Sequence, residues 1–243
     1  MCDSCGCGDP KIVPFEVHER ILAGNDRVAR HNREHFHDHN VIAVNLMGSP
    51  GAGKTAVLEA TARALGGNAK LGVLAGDLAT DNDARRIRAA GILAESITTG
   101  SACHLDAEMV HRGLHQLPWR TLDYLFIENV GNLVCPAVYD LGQHVNVVAL
   151  SITEGEDKPL KYPLMFRKAD LVLVTKIDLL PQLPHVNLEE LEGNLAAVMQ
   201  TPRLLHVSAI TGAGIPEWIR WLRGIGQPRA AACAAAAGAG QIV

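Results

Sequence analysis

The stretch with the clearest chemical pattern reads GSPGAGKT over residues 48–55, directly after the apolar run VIAVNLM at 41–47. It matches G-x-x-x-x-G-K-[ST] at every required position. In that pattern the glycines let backbone N–H groups curl around phosphates, the lysine reaches the β- and γ-phosphates, and the hydroxyl ligates Mg²⁺. A Gly-rich turn alone would look similar, but a strand before it and a helix after it are the context that a phosphate loop requires. We therefore predict a nucleotide site that consists of Gly48, Ser49, Pro50, Gly51, Ala52, Gly53, Lys54, Thr55 and Ala56.

Two carboxylates are positioned to complete the phosphate chemistry. Asp77 ends the apolar stretch GVLAGD and Glu128 ends YLFIE, so both are expected at the carboxyl edge of the sheet, where ligands bind. Either side chain can hold Mg²⁺ directly or through water, whereas the ordinary alternative is a solvated carboxylate at the end of a strand. We assign catalytic roles to Lys54, Thr55, Asp77 and Glu128. Since no catalytic glutamine or arginine finger is evident, we expect hydrolysis that is slow or that depends on a partner or on dimerisation.

A later stretch predicts the nucleotide base. LVLVTKID at 171–178 is an apolar run that ends in T-K-I-D, and a carboxylate at Asp178 can accept two N–H groups from guanine, which adenine does not supply. Lys176 can lie over the base, and Ser208 and Ala209 in VSAITGAG would approach the guanine O6. The alternative is an ordinary solvated Lys–Asp pair. The pattern favours GTP over ATP.

Three of the six cysteines lie in MCDSCGC at the start of the chain. Cys2, Cys5 and Cys7 could form a disulfide, bind a soft metal, or have no role. The sequence shows no secretory signal, so we expect a cytoplasmic protein with reduced thiols, which weakens the disulfide interpretation. Three sulfurs with an amine suit square-planar Ni²⁺, and the same sulfurs with water suit tetrahedral Zn²⁺. The spacing therefore indicates metal binding without naming the metal.

A second group of metal-binding residues follows the predicted strands. Cys103 and His104 lie in TGSACHLDA at 99–107, and Cys135 begins CPA at 135–137. Thiolate and imidazole suit Zn²⁺ or Ni²⁺, although each cysteine alone would more simply be buried and inert. Three ligands do not close a tetrahedral site. A second copy of the chain would supply the remainder across a dimer axis.

Alternating apolar strands and helical stretches must position these residues. We predict an α/β fold of the P-loop NTPase type, with a mostly parallel sheet and helices on both faces. The predicted strands lie near 41–47, 71–76, 92–98, 122–128, 145–152, 171–175 and 204–208. The predicted helices lie near 15–40, 54–65, 82–90, 106–116, 188–199 and 215–223.

The domain organisation follows from these patterns. We predict a short flexible Cys-rich segment at 1–10, a helical lead-in at 11–40, a GTPase domain at 41–226, and an Ala-rich tail at 227–243. The net charge of −4 argues against nucleic-acid binding, and the apolar runs are too short to span a membrane. HNREHFHDH at 31–39 carries four histidines, of which His31 and His35 share a helix face, as do His35 and His39. We interpret the stretch as a solvated helix surface, with modest metal storage as the alternative.

Several motifs together resemble one family. MCDSCGC, GSPGAGKT, TGSACHLDA, IENVGNLVCPA and TEGEDKPLKYP, in this order, resemble the HypB GTPases, which insert nickel during [NiFe]-hydrogenase maturation. The resemblance covers roughly residues 1–225. Thr175 stands where the family usually has asparagine, and the tail with Cys233 matches nothing in the family.

The resemblance implies specific roles. It implies a nickel site at Cys2, Cys5 and Cys7 and a nickel or zinc site at Cys103, His104 and Cys135. It also implies a homodimer in the GTP-loaded state, a nickel-handling accessory protein of the HypA type, and delivery to the hydrogenase large subunit. The alternatives are a nickel storage protein with a vestigial GTPase, a urease-type nickel GTPase, and an ATPase with the same loop.

Overall fold

The computed structural model describes residues 15–225, with side chains from residue 22 onward. The predicted metal segment with Cys2, Cys5 and Cys7 lies outside the described residues. So does the Ala-rich tail with Cys233.

The centre of the fold is a seven-stranded sheet in which every neighbouring pair of strands is parallel. The strand order is β3-β2-β4-β1-β5-β6-β7. The strands are β1 Ile42–Met47, β2 Leu71–Asp77, β3 Leu93–Thr98, β4 Tyr124–Glu128, β5 Val145–Ser151, β6 Leu171–Thr175 and β7 Leu204–Val207. Each predicted strand is present, and each boundary falls within two residues of its prediction. The α/β prediction is therefore confirmed.

Helices cover both faces of the sheet, as predicted. They are α1 Phe15–Asp38, α2 Lys54–Leu65, α3 Asn82–Ala89, α4 Ala107–Leu114, α5 Lys158–Lys161, α6 Pro163–Arg167, α7 Leu188–Val198 and α8 Ile215–Gly224. The sequence analysis missed the short helices α5 and α6. Each has a proline at its first or second position, so the segment resembles a proline-broken loop in sequence.

Strand β1 separates two packed layers. Val44 and Leu46 point into a core shared with α2, α3 and α8, whereas Ala43 belongs to the core on the side of α1 and α4. In the first layer, the buried Trp218 of α8 donates its indole N–H to Thr61 Oγ1 of α2 at 2.8 Å, so its one polar atom is satisfied. These contacts fix α2, and therefore its N-terminus, relative to the end of β1.

Helix α1 packs with a partly polar face. Val28 is only half-buried, whereas Ala29, Asn32 and Phe36 are buried. The polar Asn32 is tolerated because its amide N–H groups donate to two backbone carbonyls, Ala107 O at 2.9 Å and Leu141 O at 3.2 Å. In residues 15–225 no helix is both long and apolar enough to cross a membrane.

Candidate nucleotide and metal sites

The loop after β1 has a conformation that requires glycine. Gly48 has φ +144°, and a Cβ there would lie 2.4 Å from the carbonyl oxygen of Ala149 on β5. Gly51 and Gly53 have φ of +77° and +93°. A side chain at any of these positions would be strained or would clash. Glycine therefore permits the tight loop that leads directly into α2 at Lys54.

Lys54 lies inside this loop. Its Nζ donates to the carbonyl oxygens of Gly48 at 3.3 Å and Ser49 at 3.1 Å. Burial lowers the pKa of the ammonium group, and the nearby carboxylates of Glu128, Asp83 and Glu154 oppose that shift. The cation is therefore held at the centre of an acidic rim, where it can neutralise phosphate charge.

Three oxygen-bearing side chains meet at the start of α2. Thr55 Oγ1 lies 2.8 Å from Glu128 Oε1 and 3.1 Å from Asp83 Oδ1. Glu128 is almost completely buried, and burial raises its pKa to about 7, although the Thr55 hydroxyl and the Lys54 ammonium act in the opposite direction. Its second oxygen, Oε2, has no hydrogen-bond partner within residues 15–225. An orphaned buried carboxylate oxygen beside a hydroxyl fits Mg²⁺, which prefers oxygen ligands.

Asp83 is a site residue that the sequence analysis missed. It lies in the first turn of α3, after β2, in the stretch TDNDA at 80–84. Its position shortly after the end of a predicted strand was the only feature of the sequence that could have indicated a role. The packing of α3 beside α2 is what places Asp83 near Thr55.

Asp77 lies at the carboxyl edge of the sheet, as predicted, but its carboxylate is hydrogen-bonded to the turn that follows β2. Its carboxylate accepts from the Ala79 N–H at 3.1 Å and from the Thr80 hydroxyl at 2.8 Å. Burial is the largest single influence and raises its pKa, but the hydrogen bonds from the turn together outweigh it, so the pKa of Asp77 is lower than usual. Asp77 lines the same cleft as Lys54, Thr55, Asp83 and Glu128, which has a volume of about 540 Å³.

The loop after β4 lies directly on the phosphate loop. A Cβ at Gly131 would be 2.8 Å from Pro50 N, and Asn132 N donates to Gly48 O at 3.1 Å. The absence of a side chain at Gly131 therefore lets the two loops touch. Arg86 also lines the cleft, but its guanidinium is paired with Glu59 at 2.6 and 2.8 Å.

The predicted base-recognition residues lie at the other end of the loop. Lys176 has φ +61°, and its Nζ donates to Gly51 O at 2.7 Å. Thr175 Oγ1 donates to Ala52 O at 2.6 Å, so the residue that departs from the family pattern ties β6 to the phosphate loop. Asp178 Oδ1 accepts from Ser208 Oγ at 2.5 Å. The fold therefore brings together the T-K-I-D and S-A stretches, including the neighbouring Ala209.

Cys103, His104 and Cys135 also come together, and one ligand atom of each lies within 4.8 Å of the other two. The two sulfurs are 2.7 Å apart, longer than the roughly 2.05 Å of a disulfide bond, and neither cysteine forms a disulfide within the described part of the chain. The Cys103 thiol, through its hydrogen bond, raises the pKa of Cys135. The His104 ring stacks on Tyr139 with centroids 3.9 Å apart, and burial lowers its pKa. Two thiols and one imidazole at this spacing are a donor set for Zn²⁺ or Ni²⁺.

Asn129 connects the metal cluster to the nucleotide edge. It is buried directly after Glu128, its Oδ1 accepts from Leu105 N at 3.1 Å, and its Nδ2 donates to Asn45 Oδ1 at 3.2 Å. The loop with Cys103 and His104 is therefore anchored by the residue next to the buried carboxylate. Sequence reasoning missed Asn129 because its role is visible only in these tertiary contacts.

The fold and the loop define a P-loop nucleotide-binding protein. A glycine loop between the central parallel strand and a helix, with a buried lysine and a hydroxyl at the helix start, is the arrangement that binds nucleotide phosphates.

Comparisons with known proteins specify the family. Residues 42–204 match the sequence model described as "CobW/HypB/UreG, nucleotide-binding domain". The hydrogenase maturation factor HypB of Azotobacter chroococcum mcd 1 is 48% identical over 217 residues, which is 89% of this chain and 70% of that protein. The chain therefore belongs to the CobW/HypB/UreG family, and within it to the HypB hydrogenase maturation factors.

Two solved structures agree with this assignment. HypB from Archaeoglobus fulgidus superposes with a TM-score of 0.78 at 40% identity, covering 85% of this chain and all of that one. HypB from Helicobacter pylori in complex with nickel has a TM-score of 0.79 at 36% identity, covering 84% of this chain and 95% of that one.

The raised pKa of Glu128 predicts a pH dependence of stability. Because its pKa is about 7 in the folded chain and near 4.5 when unfolded, the folded state binds the proton more tightly between these values. The contribution of Glu128 to the free energy of unfolding is therefore present at pH 4.5 and below and is lost as pH rises to 7. Glu128→Gln removes this contribution, so the stability of the variant relative to wild type should increase from pH 5 to pH 8. Denaturant unfolding of wild type and Glu128→Gln, with chelator and without nucleotide, measures this difference in free energy. If the free energy of unfolding varies with pH in the same way for both proteins, the raised pKa of Glu128 is wrong.

Proposed function

We propose that this chain hydrolyses GTP and uses GTP-dependent dimerisation to deliver Ni²⁺ to the hydrogenase large subunit during [NiFe]-hydrogenase maturation. Its membership of the HypB maturation factors supports this, and a relative has been solved with nickel. The observation that carries the proposal is the Asn129 side chain, which joins the nucleotide edge to the loop of the Cys103, His104 and Cys135 cluster.

At the phosphate end, the chain's own groups bind and orient the nucleotide. The backbone N–H groups of residues 48–55 and the N-terminus of α2 cradle the phosphates, and Lys54 neutralises their charge. Thr55, Glu128 and Asp83 are the residues that would hold Mg²⁺, with Asp77 at the rim of the same cleft. The ion, when bound, would stabilise the negative charge that develops on the transferred phosphoryl group.

At the base end, Asp178 provides the choice of nucleotide. Its Oδ1 is held by the Ser208 hydroxyl, so the carboxylate has a defined orientation. An oriented carboxylate accepts both N1–H and N2–H of guanine, and adenine has no equivalent pair of donors. Lys176, anchored on Gly51, lies beside the same loop and provides the surface over the base.

The metal cluster holds the nickel cargo, or Zn²⁺ as an alternative occupant. Three donors leave coordination positions for a second copy of the chain. Val134 and Val138, on either side of Cys135, are 53% and 38% exposed. Exposed apolar side chains beside an incomplete metal site support a dimer interface here.

GTP acts on the metal through the two linked loops. The loop with Gly131 touches the phosphate loop, and the same segment continues to Cys135. Cys2, Cys5 and Cys7 would hold a second nickel ion. The proposed partners are a HypA-type accessory protein and the hydrogenase large subunit, in the cytoplasm.

Asp178→Asn tests the base assignment. The variant loses two charge-assisted hydrogen bonds to guanine, so we expect GTP affinity to fall about 100-fold. The new amide can donate to the C2 carbonyl of xanthine, so XTP affinity should rise. Competition of GTP, XTP and ATP against a fluorescent nucleotide measures both effects, with Asp26→Asn, an exposed change on α1, as the control. Equal binding of GTP and ATP by wild type would show that the site does not select guanine, and tighter binding of ATP would favour the ATPase alternative.

Cys103→Ala tests the metal assignment. In a chain with Cys2, Cys5 and Cys7 changed to serine, we expect loss of one tight Ni²⁺ site in a chelator-competition titration under reducing conditions. Cys233→Ala removes a cysteine that belongs to neither proposed site, and Lys54→Ala disables the nucleotide site. Both controls should retain the ion. Unchanged nickel affinity in Cys103→Ala would show that the cluster is not the nickel site.

A further inference from the structure

Three histidines from distant parts of the sequence converge between α1 and α4. His31 and His35 lie one helical turn apart on α1, and His111 lies on α4. One ring nitrogen of each lies within 4.8 Å of the other two. The ring centroids are 4.2 Å apart for His31 and His35, and 5.3 and 6.0 Å from these to His111.

The structure agrees with the predicted solvated surface at His31, His37 and His39, which are exposed, and differs from it at His35, which is half-buried beside α4. The sequence could show only that His31 and His35 share a face. It could not show that this face meets His111, because that depends on how α1 packs.

The two helices are fixed to each other by asparagines of α1. Asn25 Oδ1 accepts from the backbone N–H of Ala107, the first residue of α4, at 2.9 Å. Asn32 Nδ2 donates to Ala107 O at 2.9 Å and to Leu141 O at 3.2 Å. These contacts hold His35 and His111 in place independently of any ligand.

Asn32 also determines which nitrogen of His111 is free. Both of its amide protons are used on carbonyls, so its Oδ1, 3.0 Å from His111 Nδ1, must act as the acceptor. His111 therefore carries its proton on Nδ1, and Nε2 has the free lone pair. Histidines that ligate metals typically donate their second ring nitrogen to a fixed acceptor in this way.

The surroundings of His35 and His111 favour the neutral form of these two rings. Burial, followed by the charges of His31 and His111, lowers the pKa of His35, and Arg120 and His39 act in the same direction. Burial, followed by His31 and His115, also lowers the pKa of His111, against a small opposing effect of Glu108. Within residues 15–225, none of the three forms an ion pair with a carboxylate.

We propose that His31, His35 and His111 bind one divalent cation, Zn²⁺ or Ni²⁺, at a site separate from both cysteine sites. A nitrogen–metal bond of about 2.0–2.1 Å requires nitrogens roughly 3–4 Å apart, so the rings close by about 1 Å. His31 is exposed and can make this adjustment, and its open side leaves room for water ligands. Three imidazoles suit Zn²⁺ and Ni²⁺, whereas Mg²⁺ and Ca²⁺ prefer oxygen.

This site does not depend on the proposed nucleotide function. It shares no residue with the cluster of Cys103, His104 and Cys135. It also uses no residue that lines the phosphate cleft.

The test is a metal stoichiometry measurement on the full reduced chain. Zn²⁺ and, separately, Ni²⁺ are titrated in competition with a chromophoric chelator, for wild type, His35→Ala, His111→Ala and His37→Ala. We expect His35→Ala and His111→Ala each to lose one ion per chain, or to bind it at least tenfold more weakly. His37→Ala, which removes an exposed histidine from the same helix, should match wild type. Comparison of the Zn²⁺ and Ni²⁺ titrations then identifies the metal, because the variants lose the ion only in the titration with the metal that this site binds.

X-ray absorption at the metal edge distinguishes the coordination. The ion lost in His111→Ala should have only nitrogen and oxygen ligands, whereas ions at the cysteine sites have sulfur. Circular dichroism of His35→Ala and His111→Ala checks that the helices are retained. Unchanged stoichiometry and affinity in both folded variants, or sulfur ligands on the ion that is lost, would overturn the proposal.

Discussion

The arrangement of the sites depends on close backbone packing at the carboxyl edge of the sheet. Gly48 approaches β5 so closely that a Cβ would lie 2.4 Å from Ala149 O, and Gly131 leaves no room for a Cβ against Pro50. These two glycines let the phosphate loop lie between β5 and the loop after β4. A side chain at Gly48 would push the phosphate loop away from β5, and a side chain at Gly131 would push it away from the segment that leads to Cys135.

Buried polar side chains then fix the positions of the loops at this edge of the sheet. Glu128, Asn129 and Asn45 lie in a largely apolar interior, where unpaired polar groups are costly. Asn129 donates to Asn45 Oδ1 and accepts from the Leu105 backbone N–H, while Asn45 donates to Asn146 Oδ1. These bonds determine where the loop of Cys103 and His104 begins. Among the described residues, Glu128 Oε2 has no hydrogen-bond partner, which is consistent with a carboxylate that binds a ligand. The residues that stabilise this edge therefore also link the end of β4 to the loop of Cys103 and His104.

Much of the fold followed from the sequence because its signals are local. Apolar runs predicted all seven strands, and the phosphate loop was recognisable from its glycines, lysine and threonine within eight residues. The clustering of Cys103, His104 and Cys135 was predictable because strand ends in a parallel sheet meet at one edge. The roles of Asp83, Asn129 and His111 were not predictable, since each depends on which helix or loop packs beside it. The short helices α5 and α6 were missed because their prolines suggest a loop.

In the proposed mechanism, the bound nucleotide changes the affinity of the Cys103, His104 and Cys135 site for Ni²⁺. The first experiment compares the Ni²⁺ dissociation constants of a chain with Cys2, Cys5 and Cys7 changed to serine, with either GDP or a non-hydrolysable GTP analogue bound. We expect the two constants to differ by about tenfold, within the usual range of coupling between two sites, and by less in Asn129→Ala. Equal nickel affinity in the two nucleotide states would mean that the nucleotide does not act on this site.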